Sequence, residues 1–234
     1  MTEHPTVLIT GATKGIGRAL VERFAPAAGE MHLVARSEHD LEALKQDLAS
    51  EACRVYTYPA DLSDPVSVIS LAESLLDAID SLDVLINNAG VYLPGSLLHE
   101  PANNLRYMME LNVLSHHELV RKLHVKMPRG SHLIHMASVA SRKLFTGKPS
   151  YSISKHAQGV LTEALRHELR PLGIRVTSVM PGPTWSASWD GVEFPEDRLL
   201  DALHIAEAVW QAWKLPPEAV MEELVIRPFE GDIE

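Results

Sequence analysis

Short apolar runs and longer amphipathic stretches alternate along the whole chain. Thr-Val-Leu-Ile-Thr at 6–10 is apolar and β-branched and reads as a buried strand. Comparable runs at 30–35, 53–58, 82–87, 131–136, 174–180 and 223–227 predict six further strands. Between them apolar residues recur at helical spacing, as in Ile16, Leu20, Val21 and Phe24. The pattern predicts helices near 15–25, 38–50, 65–79, 101–127, 151–170 and 198–214. Pro65 after Asp64 suits the first turn and cap of the third. Strand–helix alternation builds βαβ units with right-handed crossovers. The expected fold class is therefore α/β, a doubly wound, mainly parallel seven-stranded sheet in one domain over residues 1–234. No internal repeat, low-complexity tract or linker interrupts it.

Composition narrows the partners. The net charge is −10, from 21 basic and 31 acidic residues, and no basic run exists to meet phosphates. That argues against nucleic acid and anionic membrane as partners. A single cysteine, Cys53, forms no internal disulfide, and its residue type suits a small buried strand position. No stretch approaches the length of a membrane span, and Met1–Pro5 lacks a basic-then-apolar leader. The expected compartment is the cytoplasm.

The first chemical signal follows the first strand. Gly11-Ala-Thr-Lys-Gly15-Ile-Gly17 stands between that strand and a helix, the context in which glycines let a backbone approach a pyrophosphate. The helix N-terminus offers unpaired N–H groups and a favourable dipole. The spacing is G-x-x-x-G-x-G, and a turn rich in glycine for backbone reasons alone is the ordinary alternative. About 20 residues on, NAD-selective sites place an acid for the ribose. This chain has Ala35, Arg36 and Ser37 there, with Lys14 inside the glycine turn. A 2′-phosphate would meet two cations and a hydroxyl, so NADP(H) is expected over NAD(H). Glu38 and Asp40 keep NAD(H) possible, and Arg36 and Lys14 also read as ordinary surface cations. The glycine turn, Asp61, Asn87–Gly90, Ser138 and Pro181-Gly182 all fall just beyond predicted strands. Ligands of such sheets bind at that end.

The second signal is Tyr151-Ser-Ile-Ser-Lys155, 13 residues after Ser138. On a helix the i, i+4 pair shares one face. An ammonium beside a phenol favours the phenolate and is expected to lower the Tyr151 pKa from roughly 10. A hydroxyl at Ser138 can hold a carbonyl oxygen while the tyrosine gives or takes a proton.

These residues together resemble the short-chain dehydrogenase/reductase family, in its single-domain branch. The likeness rests on Thr10–Gly17 (TGATKGIG), Asp61-Leu62, Asn87–Gly90 (NNAG), Asn112, Ser138, Tyr151-x-x-x-Lys155 and Pro181-Gly182. It covers residue 6 to about 228. The resemblance implies a Rossmann-type fold, its dinucleotide-binding half at about 1–100 and its catalytic and substrate half at about 101–234. It implies a catalytic set of Asn112, Ser138, Tyr151 and Lys155. Tyr151 would be the general acid in carbonyl reduction and the base in alcohol oxidation. Lys155 would lower the tyrosine pKa and bond the nicotinamide ribose, and Asn112, on the helix before the fifth strand, would support a water-linked proton path. Ser138 would hold the substrate oxygen. The dinucleotide would lie against Gly11, Thr13, Lys14, Gly15, Ile16 and Gly17. Asp61 and Leu62 would meet the adenine, and the Asn88, Ala89 and Gly90 backbone would line the cofactor. Pro181, Gly182 and Thr184 would face the nicotinamide. Where the family pattern continues to threonine this chain has Ser186, a mild departure. Trp185 before it is bulky and expected at the substrate. Family members commonly assemble as homodimers or homotetramers through the two long helices and the last strand.

Other readings are weaker. His116-His117-Glu118 lacks the second histidine of a zinc motif, since residue 121 is arginine. His132 and His135 point to opposite faces of a strand, and no metal is expected. Ser138 has no G-x-S-x-G elbow. Trp185, Trp189 and Phe194 suit a pocket lid or plain core; Tyr92, Leu93, Leu144 and Phe145 suit a second wall. Such walls favour a carbonyl compound or secondary alcohol with an apolar or aromatic body. The rival reading from another class is a non-catalytic dinucleotide-sensing protein on the same fold.

Overall fold

In the computed structural model, which describes residues 3–49, 52–185 and 198–231, seven strands form one sheet in the order β3-β2-β1-β4-β5-β6-β7. They are β1 (Thr6–Thr10), β2 (Glu30–Ala35), β3 (Arg54–Pro59), β4 (Val84–Asn87), β5 (His132–Met136), β6 (Arg175–Pro181) and β7 (Glu223–Ile226). Every pairing is parallel. The helices are α1 (Gly15–Phe24), α2 (Glu38–Asp47), α3 (Pro65–Ala78), α4 (Asn104–Met109), α5 (Ser115–Leu123), α6 (Pro149–Leu169) and α7 (Ala202–Trp213). The strand order reverses between β1 and β4, the point at which sheets of this kind open a crevice.

The sheet is covered on both faces, which is why its strands read as nearly continuous apolar runs. Side chains alternate along a strand. Val7 and Ile9 therefore join Leu20, Phe24 and Leu41 in one core, while Leu8 joins Leu71, Leu75 and Leu119 in the other. On the first face α7 packs on α1: the Phe24 and Trp210 rings meet edge-on at 5.1 Å, and the Arg23 guanidinium lies 4.1 Å over Trp210. Asp64 caps α3 through Val66 N–H and Ser67 N–H, as Pro65 after an acid predicts. Ser37 caps α2 and Asp201 caps α7 in the same way.

Three expectations need correction. The helix expected over 101–127 is divided: α4 runs into a π-helical turn, Glu110–Leu114, before α5 begins. Ser115 N–H reaches back to Glu110 O, and the Ser115 hydroxyl donates to Leu111 O at 2.7 Å. Asn112 lies inside this turn, not on a regular helix. The helix expected over 198–214 begins at Ala202, because Asp201 stops it as a cap. Cys53 is half-buried and precedes β3, so it is not a core strand residue. Among the described residues no helix is long and apolar enough to cross a membrane.

Candidate active site

The turn after β1 is built for close backbone approach. Gly11 and Gly15 both have left-handed φ, 65° and 51°. A Cβ on Gly17 would stand 1.9 Å from Gly11 O and 2.6 Å from Asn88 Nδ2, so no side chain fits where α1 meets the turn. Thr10 ties this turn to the loop after β4. Its hydroxyl accepts from Asn88 N–H and Ala89 N–H, both at 3.0 Å, and Asn88 Nδ2 donates back to Thr10 O and Gly11 O. The first turn of α1 has no side-chain cap and no acid, leaving its N–H groups and dipole open to an anion.

Beside it opens a cleft of about 440 Å³. Gly11, Thr13, Lys14, Gly15, Ile16 and Gly17 line it from the turn, Arg36 and Leu62 from beyond β2 and β3, and Asn88, Ala89 and Gly90 from beyond β4. Eleven residues expected from the sequence are thus brought to one surface. Val34, Ala35, Ala60 and Val91 complete its apolar wall, with Tyr92, Tyr107 and Leu111. Arg36 is exposed, and its charge helps hold the Asp61 carboxyl below the usual range, alongside hydrogen bonds from Ser63 that outweigh partial burial. Asp61 accepts from Ser63 N–H at 2.9 Å and the Ser63 hydroxyl at 2.7 Å, so its side chain closes a local turn. Ser37 accepts from Asp40 N–H as the α2 cap; its own O–H is still a donor. Lys14 pairs with Asp40 at 3.8 Å, an exposed contact of the weak kind.

Ser138, Tyr151 and Lys155 come together beyond β5, on the next stretch of the same sheet edge. Ser138 lies two residues beyond β5 and accepts from Ala140 N–H at 3.1 Å, and its hydroxyl acts on the Tyr151 phenol. The Lys155 Nζ lies 5.9 Å over the Tyr151 ring. Tyr92 meets Tyr151 edge-on at 5.3 Å, and Lys148 Nζ lies 5.1 Å over Tyr92. The electrostatics differ from the sequence expectation. Burial pushes the Tyr151 phenol up, the Ser138 bond pulls it down, and Tyr92 adds to the rise; Lys155 does not lower it. Burial instead acts on the lysine itself, lowering its ammonium to about 7. Loss of solvent favours the neutral form of each group.

Asn112 clamps the loop after β4. Its Oδ1 accepts from Val91 N–H at 2.8 Å, and its Nδ2 donates to Val91 O and to Ser154 Oγ, both at 3.0 Å. It pins the loop that carries Gly90, whose α-carbon faces Asn112 Oδ1 and Lys155 Nζ. Pro181 ends β6 beside Ile226, and Gly182 N–H donates to Ile226 O at 2.7 Å. The Thr184 hydroxyl donates to Gly182 O, and Trp185 is half-exposed. Ser186, Trp189 and Phe194 lie outside the described residues.

Residue-type reasoning missed the layer behind the lysine. Gln158 Oε1 and Met136 O both accept from Lys155 Nζ, at 2.9 and 3.1 Å. Gln158 Nε2 meets His116 Nδ1 at 3.0 Å, and His116 Nε2 meets Ala89 O at 2.8 Å. His135 bonds Asn87 and Thr162 beside them, while His132 bonds Thr177 on the other face. A polar residue three positions after Lys155, on the helix face that Lys155 and Thr162 share, was the available signal. Among the described residues no three His, Cys, Asp or Glu side chains form a metal-ligand set.

The fold and cleft define a class of nucleotide-binding oxidoreductase, and comparison with known proteins agrees. The sequence profile of the short chain dehydrogenases matches residues 5–193. Sepiapterin reductase of Chlorobaculum tepidum is 34% identical, over 97% of this chain and 98% of the reductase. Farnesol dehydrogenase of Aedes aegypti is 32% identical over 94% of each chain. Among solved structures, an alcohol dehydrogenase from the archaeon Thermococcus sibiricus complexed with 5-hydroxy-NADP superposes with a TM-score of 0.88 at 26% identity, covering 99% of this chain and 100% of that one. The chain belongs to the short-chain dehydrogenase/reductase family.

Proposed function

We propose that this protein is an NADP(H)-dependent oxidoreductase that reduces a ketone or aldehyde, or oxidises the corresponding secondary alcohol, with Tyr151 as acid and base. The observation that carries the reading is that two residues lining the 440 Å³ cleft adjoin the Ser138–Tyr151–Lys155 cluster: Tyr92 meets Tyr151 edge-on, and Gly90 faces Lys155 Nζ. The residues fit a dinucleotide. Gly11 and Gly17 leave a cradle that a Cβ would fill, and the uncapped start of α1 suits a pyrophosphate. Lys14, Arg36 and the Ser37 O–H are the donors for a 2′-phosphate, since the exposed Lys14–Asp40 pair yields easily to a doubly charged anion. The NADP analogue bound by the archaeal relative supports this choice. A bound nicotinamide supplies hydride chemistry.

The chain supplies position and proton. Ser138 Oγ and the Tyr151 phenol donate toward a substrate oxygen, where negative charge develops. A phenol held protonated by burial is suited to the acid role in reduction. Lys155, lowered by burial to about 7 and 5.9 Å from the Tyr151 ring, can give or take a proton near neutrality beside the phenol. Tyr92 and Tyr107 give the cleft aromatic character suited to a substrate with an apolar or aromatic body. Tyr151→Phe is expected to lower turnover by about 10²–10⁴-fold while NADPH binding, read by its fluorescence, persists. Turnover close to the parent protein would reject the assignment. A substrate panel that favoured small charged keto acids would reject the pocket reading.

A further inference from the structure

Lys155 is buried, and carbonyl-type oxygens surround its ammonium. Two N–H groups are committed, one to Met136 O at 3.1 Å and one to Gln158 Oε1 at 2.9 Å. Hydrogen-bond logic fixes the orientation of that amide. Ala89 O only accepts, so His116 Nε2 carries the hydrogen that spans their 2.8 Å contact. A neutral imidazole then has a lone pair at Nδ1, which accepts from Gln158 Nε2 at 3.0 Å. The amide oxygen is thereby turned to the lysine. A second layer holds the pair in place. The Thr162 hydroxyl donates to Gln158 O at 2.7 Å, so it accepts from His135 Nδ1, and His135 Nε2 accepts from Asn87 Nδ2 at 3.0 Å. Asn87, His116, His135 and Gln158 have no solvent exposure.

We propose that Gln158, its amide oriented by His116, is a positioning residue that sets the direction of the Lys155 ammonium. Gln158 Oε1 and Met136 O hold two N–H groups on one side of Nζ, which leaves the third toward Gly90 at the cleft. The proposal rests on the reading of Lys155 as part of the reacting cluster. It differs from that reading in naming groups that touch neither substrate nor cofactor. His116 also joins the lysine to Ala89 in the cleft wall, so the orientation of the ammonium and the placement of that wall are linked through one imidazole. The chemistry needs His116 neutral. A protonated His116 would present N–H to the amide N–H₂ and force the amide to turn, leaving donors facing the ammonium. Burial first, then His135 and Lys155, keep His116 well below its ordinary pKa, so this does not happen near neutrality. The titratable groups around Nζ are Tyr151 on the same helix, His116 on α5 and His135 on β5, with Tyr92 behind Tyr151.

The test is Gln158→Leu and Gln158→Glu in the full chain, with Lys155 titrated directly by ¹⁵N NMR of the Nζ and turnover measured in parallel. Gln158→Leu removes an acceptor from a cation, so the lysine titrates lower, and kcat falls about 10–10²-fold with KM for the carbonyl nearly unchanged. Gln158→Glu puts a carboxylate at the same atom and raises the lysine pKa by about one to three units, moving the pH profile of kcat with it. His116→Phe reproduces the Leu phenotype by freeing the amide. An unchanged Lys155 titration in both Gln158 variants overturns the proposal, as does a pH profile of Gln158→Leu that matches the parent. The NMR titration needs no turnover, so it stands even if no substrate is found, and a failure of the proposed activity is then distinguishable from a failure of this inference. Thermal unfolding of each variant separates a misfolded Gln158→Leu from a true effect, and Gln158→Glu, which keeps the acceptor oxygen, carries the test in that case.

Discussion

Replacing Gly17 with alanine sets two effects of opposite sign against each other. Gly17 is in the first turn of α1, and helix propensity alone favours alanine there by about 1 kcal/mol. The added Cβ, however, would stand 1.9 Å from Gly11 O, 2.6 Å from Asn88 Nδ2 and 2.8 Å from Gly11 C. A carbon and a carbonyl oxygen approach no closer than roughly 3.3 Å in ordinary contact. The Gly11 peptide must therefore move by more than about 1 Å, and it cannot retreat freely, because a Cβ on Gly11 would itself lie 2.9 Å from the Ala89 backbone. Overpacking of this kind costs about 1–3 kcal/mol or more, and loss of the Asn88–Gly11 bond adds about 1 kcal/mol. The steric effect wins, and the net loss is about 1–3 kcal/mol. For a chain of this size that lowers Tm by roughly 3–10 °C. The displaced turn is also expected to weaken NADPH binding at least about tenfold, or 1.4 kcal/mol. Gly159→Ala is the control. It lies within α6, its new Cβ would meet only Ser141 Cβ at 3.6 Å, and it should stabilise by up to about 1 kcal/mol. Differential scanning calorimetry and a fluorescence titration decide the matter. A Gly17→Ala protein with parental Tm and parental NADPH affinity would refute the packing argument.

Asn112→Ala leaves Val91 N–H and O and Ser154 Oγ without their partner, and should cost about 2–4 kcal/mol in urea unfolding; a loss under about 0.5 kcal/mol would show that the clamp is not structural. Arg36→Leu is expected to raise KM for NADPH about tenfold and leave KM for NADH nearly unchanged, and equal effects on both would point away from a 2′-phosphate contact. His132 and His135 are lowered by burial to about 3, so below their unfolded value of 6.5 the unfolded chain binds protons that the native chain does not. Their contribution is therefore complete above that value and is lost as pH falls from 6.5 toward 3, at about 1.4 kcal/mol per unit each. Urea midpoints at about pH 7 and about pH 5 check this, since the depressed carboxylates act lower still; equal midpoints would contradict it.

The strands were legible because a sheet buried on both faces leaves an apolar run at every strand. The glycine turn was legible because α1 follows it directly. The π turn at Glu110–Leu114 was not, because one extra residue in a helical turn leaves the residue types of a helix unchanged. The backbone bond from Ser115 N–H to Glu110 O, five residues back, is what marks it. The direction of the Tyr151 shift was misjudged for a related reason. Spacing places Lys155 beside the phenol, but the loss of solvent that dominates both groups belongs to tertiary packing. Gln158 and His116 were passed over because a polar side chain on a helix reads as exposed until the neighbouring elements are in place. Asp61 and Ser37 were singled out by position, and their hydrogen bonds to Ser63 and to Asp40 N–H show them shaping their own turns.

The bonds between Thr10 and the Asn88–Ala89 backbone have a thermodynamic corollary. The two lips of the crevice are stitched to each other by the protein's own groups, before any ligand is present. A visiting dinucleotide therefore meets a receptor already in its final shape there, and little of its attraction is diverted into ordering the chain. Loosening that seam by Thr10→Val would slow nothing in the chemistry itself; it would make the entropy of arrival larger.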